Sequence, residues 1–308
     1  MWRDYDPRPE DRERPDLSRG SRGASDERAL NSTDPRDLFT RSLELPRGTS
    51  RRPVRVRDHS FELRASEVRI LATTGAFRVV PAKDLVDHRR KPADARTGDL
   101  RRLREAELVH TTPYVMGREK TVLVTLSDRG RELLESHRSR ESPEPRQQFY
   151  TGIVKRRELS HDAQLYRAYL DAAERLQTRG NSVRRVVLDY ELKRDYQRFL
   201  GELNRERRRG QRDSESFDRE VAEWARRHDL PVVDDQVHFP DVRIEYERPD
   251  GERKVEDVEV ITPHYRGAYA AAKGRTGFRC YRIDTGVGGR SGGGRRTPDP
   301  RIMEEFLG

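Results

Sequence analysis

The chain has 308 residues and a net charge of +9; only 32% of residues are apolar and 39% are charged. That balance excludes a chain packed throughout, and no apolar run approaches the ~20 residues that a helical membrane span needs. A single cysteine, Cys280, excludes a disulfide framework or a Cys-based zinc site within the chain.

The basic excess favours a polyanionic partner, nucleic acid above all, and the cysteine usage fits a cytoplasmic location. The first twenty residues, "MWRDYDPRPEDRERPDLSRG", carry no apolar core of a secretory signal. Residues 1–55 are rich in Arg, Asp, Pro, Ser and Gly without apolar periodicity, and read as a disordered arm, either a solubilising tail or an electrostatic tether.

Residues 56–138 read as one helical and hairpin module. "RASEVRILATTGAF" sets Val68, Ile70 and Leu71 on one stripe that ends near Gly75. "VVPAKDLVDHR" predicts a second helix opened by Pro81, and "PADARTGDLRRLREAELV" a third, with Leu100 and Leu103 inward and Gly98 weakening it by about 1 kcal/mol. "TTPYVM" and "TVLVTL" flank "GREK" as a hairpin. Ser127 then caps a helix carrying Leu133 and Leu134. This is the order of a winged helix-turn-helix. Its second helix of the pair would enter the major groove.

The candidate DNA-binding residues are therefore Arg96, Thr97, Arg101, Arg102 and Arg104, with Asp99 also within reach of bases. Arg89, Arg90 and Lys91 in the preceding turn join them, as do Arg118 and Lys120 at the wing tip. Guanidinium groups neutralise phosphate and can pair with a guanine edge in bidentate fashion.

Residues 139–148, with Pro143 and Pro145, read as a linker. From 149 to 284 the order is helix, strand, helices, strand, strand, helix, strand, a small mixed α/β domain. The first helix sets Leu165, Tyr169, Ala172 and Leu176 on one face, with Gly180 as its end. "FDREVAEWARRHDL" has Val221, Trp224 and Ala225 on its apolar side, and "HYRGAYAAAKGRTG" is helix-like. Residues 285–308 read as a flexible Gly/Arg tail.

"FPDVRIEYERPDGERKVEDVEV" predicts a hairpin with Gly251 in the left-handed position of a three-residue loop. That register pairs residues whose numbers sum to about 500 and sets Asp241 opposite Glu259. Directly opposed Cβ atoms lie roughly 4.5–5.5 Å apart, close enough for two carboxylates to share a cation. Mg²⁺ suits such hard oxygen ligands. Asp257 lies on the same face and is a further candidate ligand. A bulge at Val255, which breaks the alternation, would spoil the juxtaposition.

The pattern resembles the PD-(D/E)XK nucleases: Pro240-Asp241, a hairpin turn, then Glu259. The motif lysine is missing, since Ile261 stands at its place. In such nucleases the lysine orients and activates the attacking water, a role the resemblance would give to Lys273 by migration, or to His264. A catalytic set of Asp241, Glu259 and Lys273 and a metal set of Asp241, Glu259 and Asp257 follow from it. His161, in "LSHDAQ", stands at the entrance of the domain, where Ser160 or Asp162 would cap the helix.

As a whole, residues 61–283 resemble the replication-relaxation family of plasmids and integrative mobile elements. "GAFRVVPAKDL" and "LRRLREAELV" are similar to its DNA-binding half, and "HFPDVRIEYERPDGERKVEDVEV" to its nuclease-like half. The resemblance implies an α+β fold, with a winged helix-turn-helix ahead of a restriction-endonuclease-like domain. It also implies double-stranded DNA as partner, with a relaxase, a replication initiator or a second copy of the chain as protein partners. Three functions stay open: a DNA-binding accessory protein with a degenerate nuclease-like domain, a Mg²⁺-dependent endonuclease, and a transcriptional regulator.

Overall fold

In the computed structural model, which describes residues 34–116, 119–142, 145–153, 156–208, 214–261 and 274–282, the chain is mixed α+β. The described residues include the second part, 34–55, of the stretch expected to be an arm. Asp34 caps a 3-10 turn, Pro35–Thr40, by accepting the Arg36 N–H at 2.9 Å. Leu38, Phe39, Leu43 and Leu45 are then buried. Strands β1 (Arg52–Val56) and β2 (His59–Leu63) form a hairpin with Val54, Val56 and Leu63 inward. The apolar residues of 34–56 are few but nearly all buried, which an average over composition hides.

Helix α1 (Ala65–Phe77) opens with the Glu67 carboxylate accepting the Arg64 N–H, a capping interaction. It runs through Gly75 to Phe77 instead of stopping at the glycine. A Cβ at Gly75 would stand 2.9 Å from a Leu126 methyl and 3.0 Å from the Phe149 ring, so the glycine serves close packing.

The second helix expected from Pro81 does not form. Strand β3 (Val80–Pro81) is followed only by a 3-10 turn, Ala82–Asp84, and Val86 bridges Pro92. Asp87 is the cause: its side chain accepts the Arg89 N–H at 2.8 Å and the Lys91 N–H at 3.2 Å, folding 87–91 into a loop. Helix α2 (Gly98–Glu105) is shorter than the expected span. Gly98 is its first residue, at φ +63°, a conformation that suits glycine.

Strands β4 (Val109–Met116) and β5 (Glu119–Leu126) pair from Val109↔Leu126 to Met116↔Glu119, in a sheet of order β3-β5-β4. Helix α3 (Asp128–Ser136) is capped by Ser127, whose Oγ accepts the Gly130 N–H at 2.9 Å.

Helix α4 (Leu159–Thr178) leads to β6 (Ser182–Leu188), α5 (Asp189–Arg208), α6 (Ser214–Arg227), a small ladder of β7 (Val232–Val233) and β8 (Gln236–Val237), then β9 (Val242–Glu247), β10 (Arg253–Ile261) and β11 (Arg279–Arg282). The main sheet has the order β11-β10-β9-β6. β9 is antiparallel to both neighbours and β10 is parallel to β11. On one face α4 packs Tyr166, Tyr169, Ala172 and Leu176 against Val186, Val242, Ile244 and Val258. On the other, Val187 joins Leu192 of α5 and Trp224 and Ala225 of α6.

The two expected domains share one core. Phe77 of α1 lies 5.1 Å from Tyr166 and 5.2 Å from Tyr169 of α4, and Phe39 meets both Phe77 and Tyr169 at 5.4 Å. The expected linker is built in as well. The Gln147 amide both donates to the Val186 carbonyl at 2.9 Å and accepts its N–H at 3.0 Å, and Phe149, just after the linker, is buried. Pro143, the start of the arm, the helix-like stretch within 262–273 and the tail at 285–308 lie outside the described residues.

Candidate functional site

The β9–β10 register follows the 500 sum throughout, from Val242↔Val258 to Glu247↔Arg253. Gly251 takes φ +84° in the turn, and Val255 pairs with Glu245 without a bulge. The paired residues end at Val242↔Val258, so Asp241 stands just before β9 and outside the ladder. Glu259 is buried and runs beside Cys280 of β11.

Asp241 is held from two sides. Its Oδ2 accepts the Val260 N–H at 2.8 Å and lies 3.1 Å from Nε2 of His161, in the first turn of α4. The other ring nitrogen of His161 lies 3.4 Å from Asp162 Oδ1. Burial alone would push the imidazole towards neutrality, but the hydrogen bonds to Asp162 and Asp241 outweigh it and raise its pKa to about 10. At neutral pH Asp241 therefore faces an imidazolium.

Asp257 does not stand in for Glu259. Arg243, directly across the ladder, takes both of its oxygens at 2.8 and 2.7 Å. The same guanidinium donates to the His228 carbonyl and, at 2.9 Å, to the Asp229 carbonyl, tying the end of α6 to the sheet. The pair is structural. A divalent cation at Asp241 would have to displace the imidazolium, and Asp257 is committed to Arg243. Lys273 and His264 lie outside the described residues.

The second candidate surface is α2. Leu100 and Leu103 are buried, while Arg101, Arg102 and Arg104 are exposed, with Arg96 and Thr97 exposed just ahead of the helix. Arg101 pairs with Glu105 at 2.7 Å, and Arg102 lies 3.5 Å from Glu67. Arg90 and Lys91 are exposed in the loop, and Arg89 is paired with Asp87 at 2.9 Å. Lys120 is exposed on β5, and Arg118 lies outside the described residues. The β4–β5 hairpin is not a free wing: Leu123 packs with Leu159 and Ala163 of α4, and Met116 Sδ accepts from the Gln164 amide at 3.0 Å.

Asp99, expected within reach of bases, is fully buried. It accepts from Ser66 Oγ at 2.6 Å, from the His88 N–H at 2.8 Å and from the Arg64 guanidinium. Burial would raise its carboxyl, but the bonds from Ser66, Arg64 and His88 hold it below the usual carboxylate range. Asp99 thus bolts the start of α2 to the start of α1 and aims the arginines outward.

Sequence reasoning underweighted His161. Its signal was there: a histidine in the first turn of a helix, followed by Asp162, in a chain with a Pro-Asp ahead of an acidic strand. In comparisons with protein-family models, curated proteins and solved structures, nothing matches this chain.

Proposed function

We propose that this chain is a DNA-binding accessory protein of plasmid or mobile-element replication or mobilisation. It grips duplex DNA through α2, while its second half serves as a nuclease-like scaffold that no longer cuts. One observation carries the reading: α2 turns three guanidinium groups to solvent, on a helix whose opposite face is locked by Leu100, Leu103 and Asp99. A rigid helix with outward arginines suits phosphate neutralisation and groove contact.

The order helix, short strand, turn, helix, hairpin, helix supports a winged-helix-like first half. In that reading the 3-10 turn Ala82–Asp84 stands where the family's second helix would be. The antiparallel β6-β9-β10 run with a parallel β11, and Pro240-Asp241 ahead of β9, support likeness to the PD-(D/E)XK fold. The plasmid context rests on the sequence resemblance. A scaffold role accords with the imidazolium against Asp241 and with Ile261 at the place of the motif lysine.

The test is duplex retention. Wild-type protein should shift a duplex fragment in a gel, and Arg101→Ala/Arg102→Ala protein should shift it far less. Equal shifts would exclude α2 as the grip. Supercoiled plasmid incubated with the protein and Mg²⁺ or Mn²⁺ should stay uncut. Nicking that disappears in Asp241→Ala protein would establish the endonuclease instead.

A further inference from the structure

The outward face of α5 carries a row that the α2 reading does not use. Tyr190, Arg194, Arg198, Gly201, Arg205 and Arg208 recur at steps of four, four, three, four and three residues, which stack on one line of an α-helix. The opposite line holds Leu192 and Leu203, buried, and Tyr196, which packs 5.0 Å from Trp224 of α6. The row therefore points to solvent, and all four arginines in it are exposed. The acids Asp195, Glu202 and Glu206 fall roughly a quarter turn away on one flank. Asp195 approaches Arg194 and Arg198 only at 3.6 and 3.5 Å, long exposed pairs that leave the cations available.

Two further features give the row a direction and a ligand. Gly201 sits in mid-helix, where glycine costs about 1 kcal/mol relative to alanine, yet a Cβ there would meet nothing within 4 Å. Packing does not explain it, and it leaves a gap between two pairs of arginines. At the other end Tyr190 is 47% exposed, which is unusual for a large ring. It is held by an edge contact to Tyr150 at 6.0 Å and by the Arg78 guanidinium at 5.0 Å. The residue before it, Asp189, donates its N–H to the Asp241 carbonyl at 3.2 Å. The row thus starts beside the end of the sheet that carries the acids.

We infer that the outer face of α5 is a track for single-stranded DNA, with phosphates on Arg194, Arg198, Arg205 and Arg208 and an unpaired base stacked on Tyr190. The fourteen steps from Arg194 to Arg208 span about 21 Å, room for several nucleotides. Arginines along a backbone together with an exposed aromatic ring are the combination that holds single strands without reading sequence. A duplex keeps its bases stacked inside, so it would leave Tyr190 unused. The inference stands on α5 alone and does not depend on α2 binding duplex.

The experiment uses the full chain, a fluorescent oligo(dT) and a duplex of equal length, with binding read by anisotropy at several salt concentrations. Replacing all four arginines by glutamine should cost about tenfold or more in oligo(dT) affinity and flatten the salt dependence by about 0.7 per phosphate lost. Tyr190→Ala should cost about fivefold or more, the lower range for one stacked base. Gly201→Glu, at a position with open space around it, should weaken oligo(dT) binding without changing the circular dichroism spectrum. Arg101→Ala/Arg102→Ala should leave oligo(dT) affinity within about twofold. Unchanged oligo(dT) binding in the glutamine and Gly201→Glu proteins would overturn the track. Equal losses for duplex and oligo(dT), with Tyr190→Ala silent, would overturn its assignment to single strands.

Discussion

His161 Nε2 lies 3.1 Å from Asp241 Oδ2, so residues eighty positions apart meet at the end of the main sheet as a cation and an anion. The contact joins the first turn of α4 to the start of β9, and Asp162 holds the far side of the ring.

The first prediction concerns pH. His161 has its pKa raised from 6.5 to about 10, so its contribution to stability is fully present below about 6.5 and is lost as pH rises through about 10. Melting temperatures of wild-type and His161→Gln protein should differ most near pH 6 and converge towards pH 10.5. A difference that stays constant across this range would mean that the ring is neutral in the folded protein.

Asp99 provides a second test, with the opposite sign. Its folded pKa is lowered, so its contribution is present above the unfolded carboxylate value and fades as pH falls through the folded one. Asp99→Asn should destabilise the protein by about 3 kcal/mol at pH 7, because it breaks a buried ionic contact with Arg64. The loss should shrink in acid. Urea denaturation at pH 7 and pH 3.5 measures both.

Arg243 and Asp257 should behave as a couple. Each single change to alanine should cost about 3 kcal/mol, and the double change much less than the sum, since either one alone strands a buried charge. Additive losses in a double-mutant cycle would show that the pair is not the unit described.

The shared core predicts cooperativity between the halves. Phe77→Ala removes a ring that touches Phe39, Tyr166 and Tyr169, and should cost about 3–5 kcal/mol. Far-ultraviolet circular dichroism and tryptophan fluorescence should follow one common denaturation curve in the wild type. Two separated transitions would contradict a single core.

Much of this was legible in the residues, for definite reasons. The β9–β10 register was readable because the turn "RPDG" fixes the loop length, and the alternation of Val242, Ile244 and Tyr246 fixes the face. The same count paired Arg243 with Asp257, a contact available to arithmetic but not drawn from it. Ser127 and the α4 stripe were equally plain, being local. What could not be read was long-range or masked by composition. The burial of Leu38, Phe39 and Leu43 depends on α1 and α4, which no window around them contains. The loss of the helix after Pro81 turns on one carboxylate, Asp87, bonding the backbone ahead of it. The meeting of His161 with Asp241 is set by the packing of α4 across the sheet.

The most direct measurement of the proposed grip is the salt dependence of duplex binding. For wild-type protein, log K should fall steeply and linearly with log salt, and Arg101→Ala/Arg102→Ala protein should bind more weakly, with a slope shallower by about 1.8, two phosphate contacts at about 0.9 each. An affinity and a slope that both survive the double substitution would contradict DNA binding through α2.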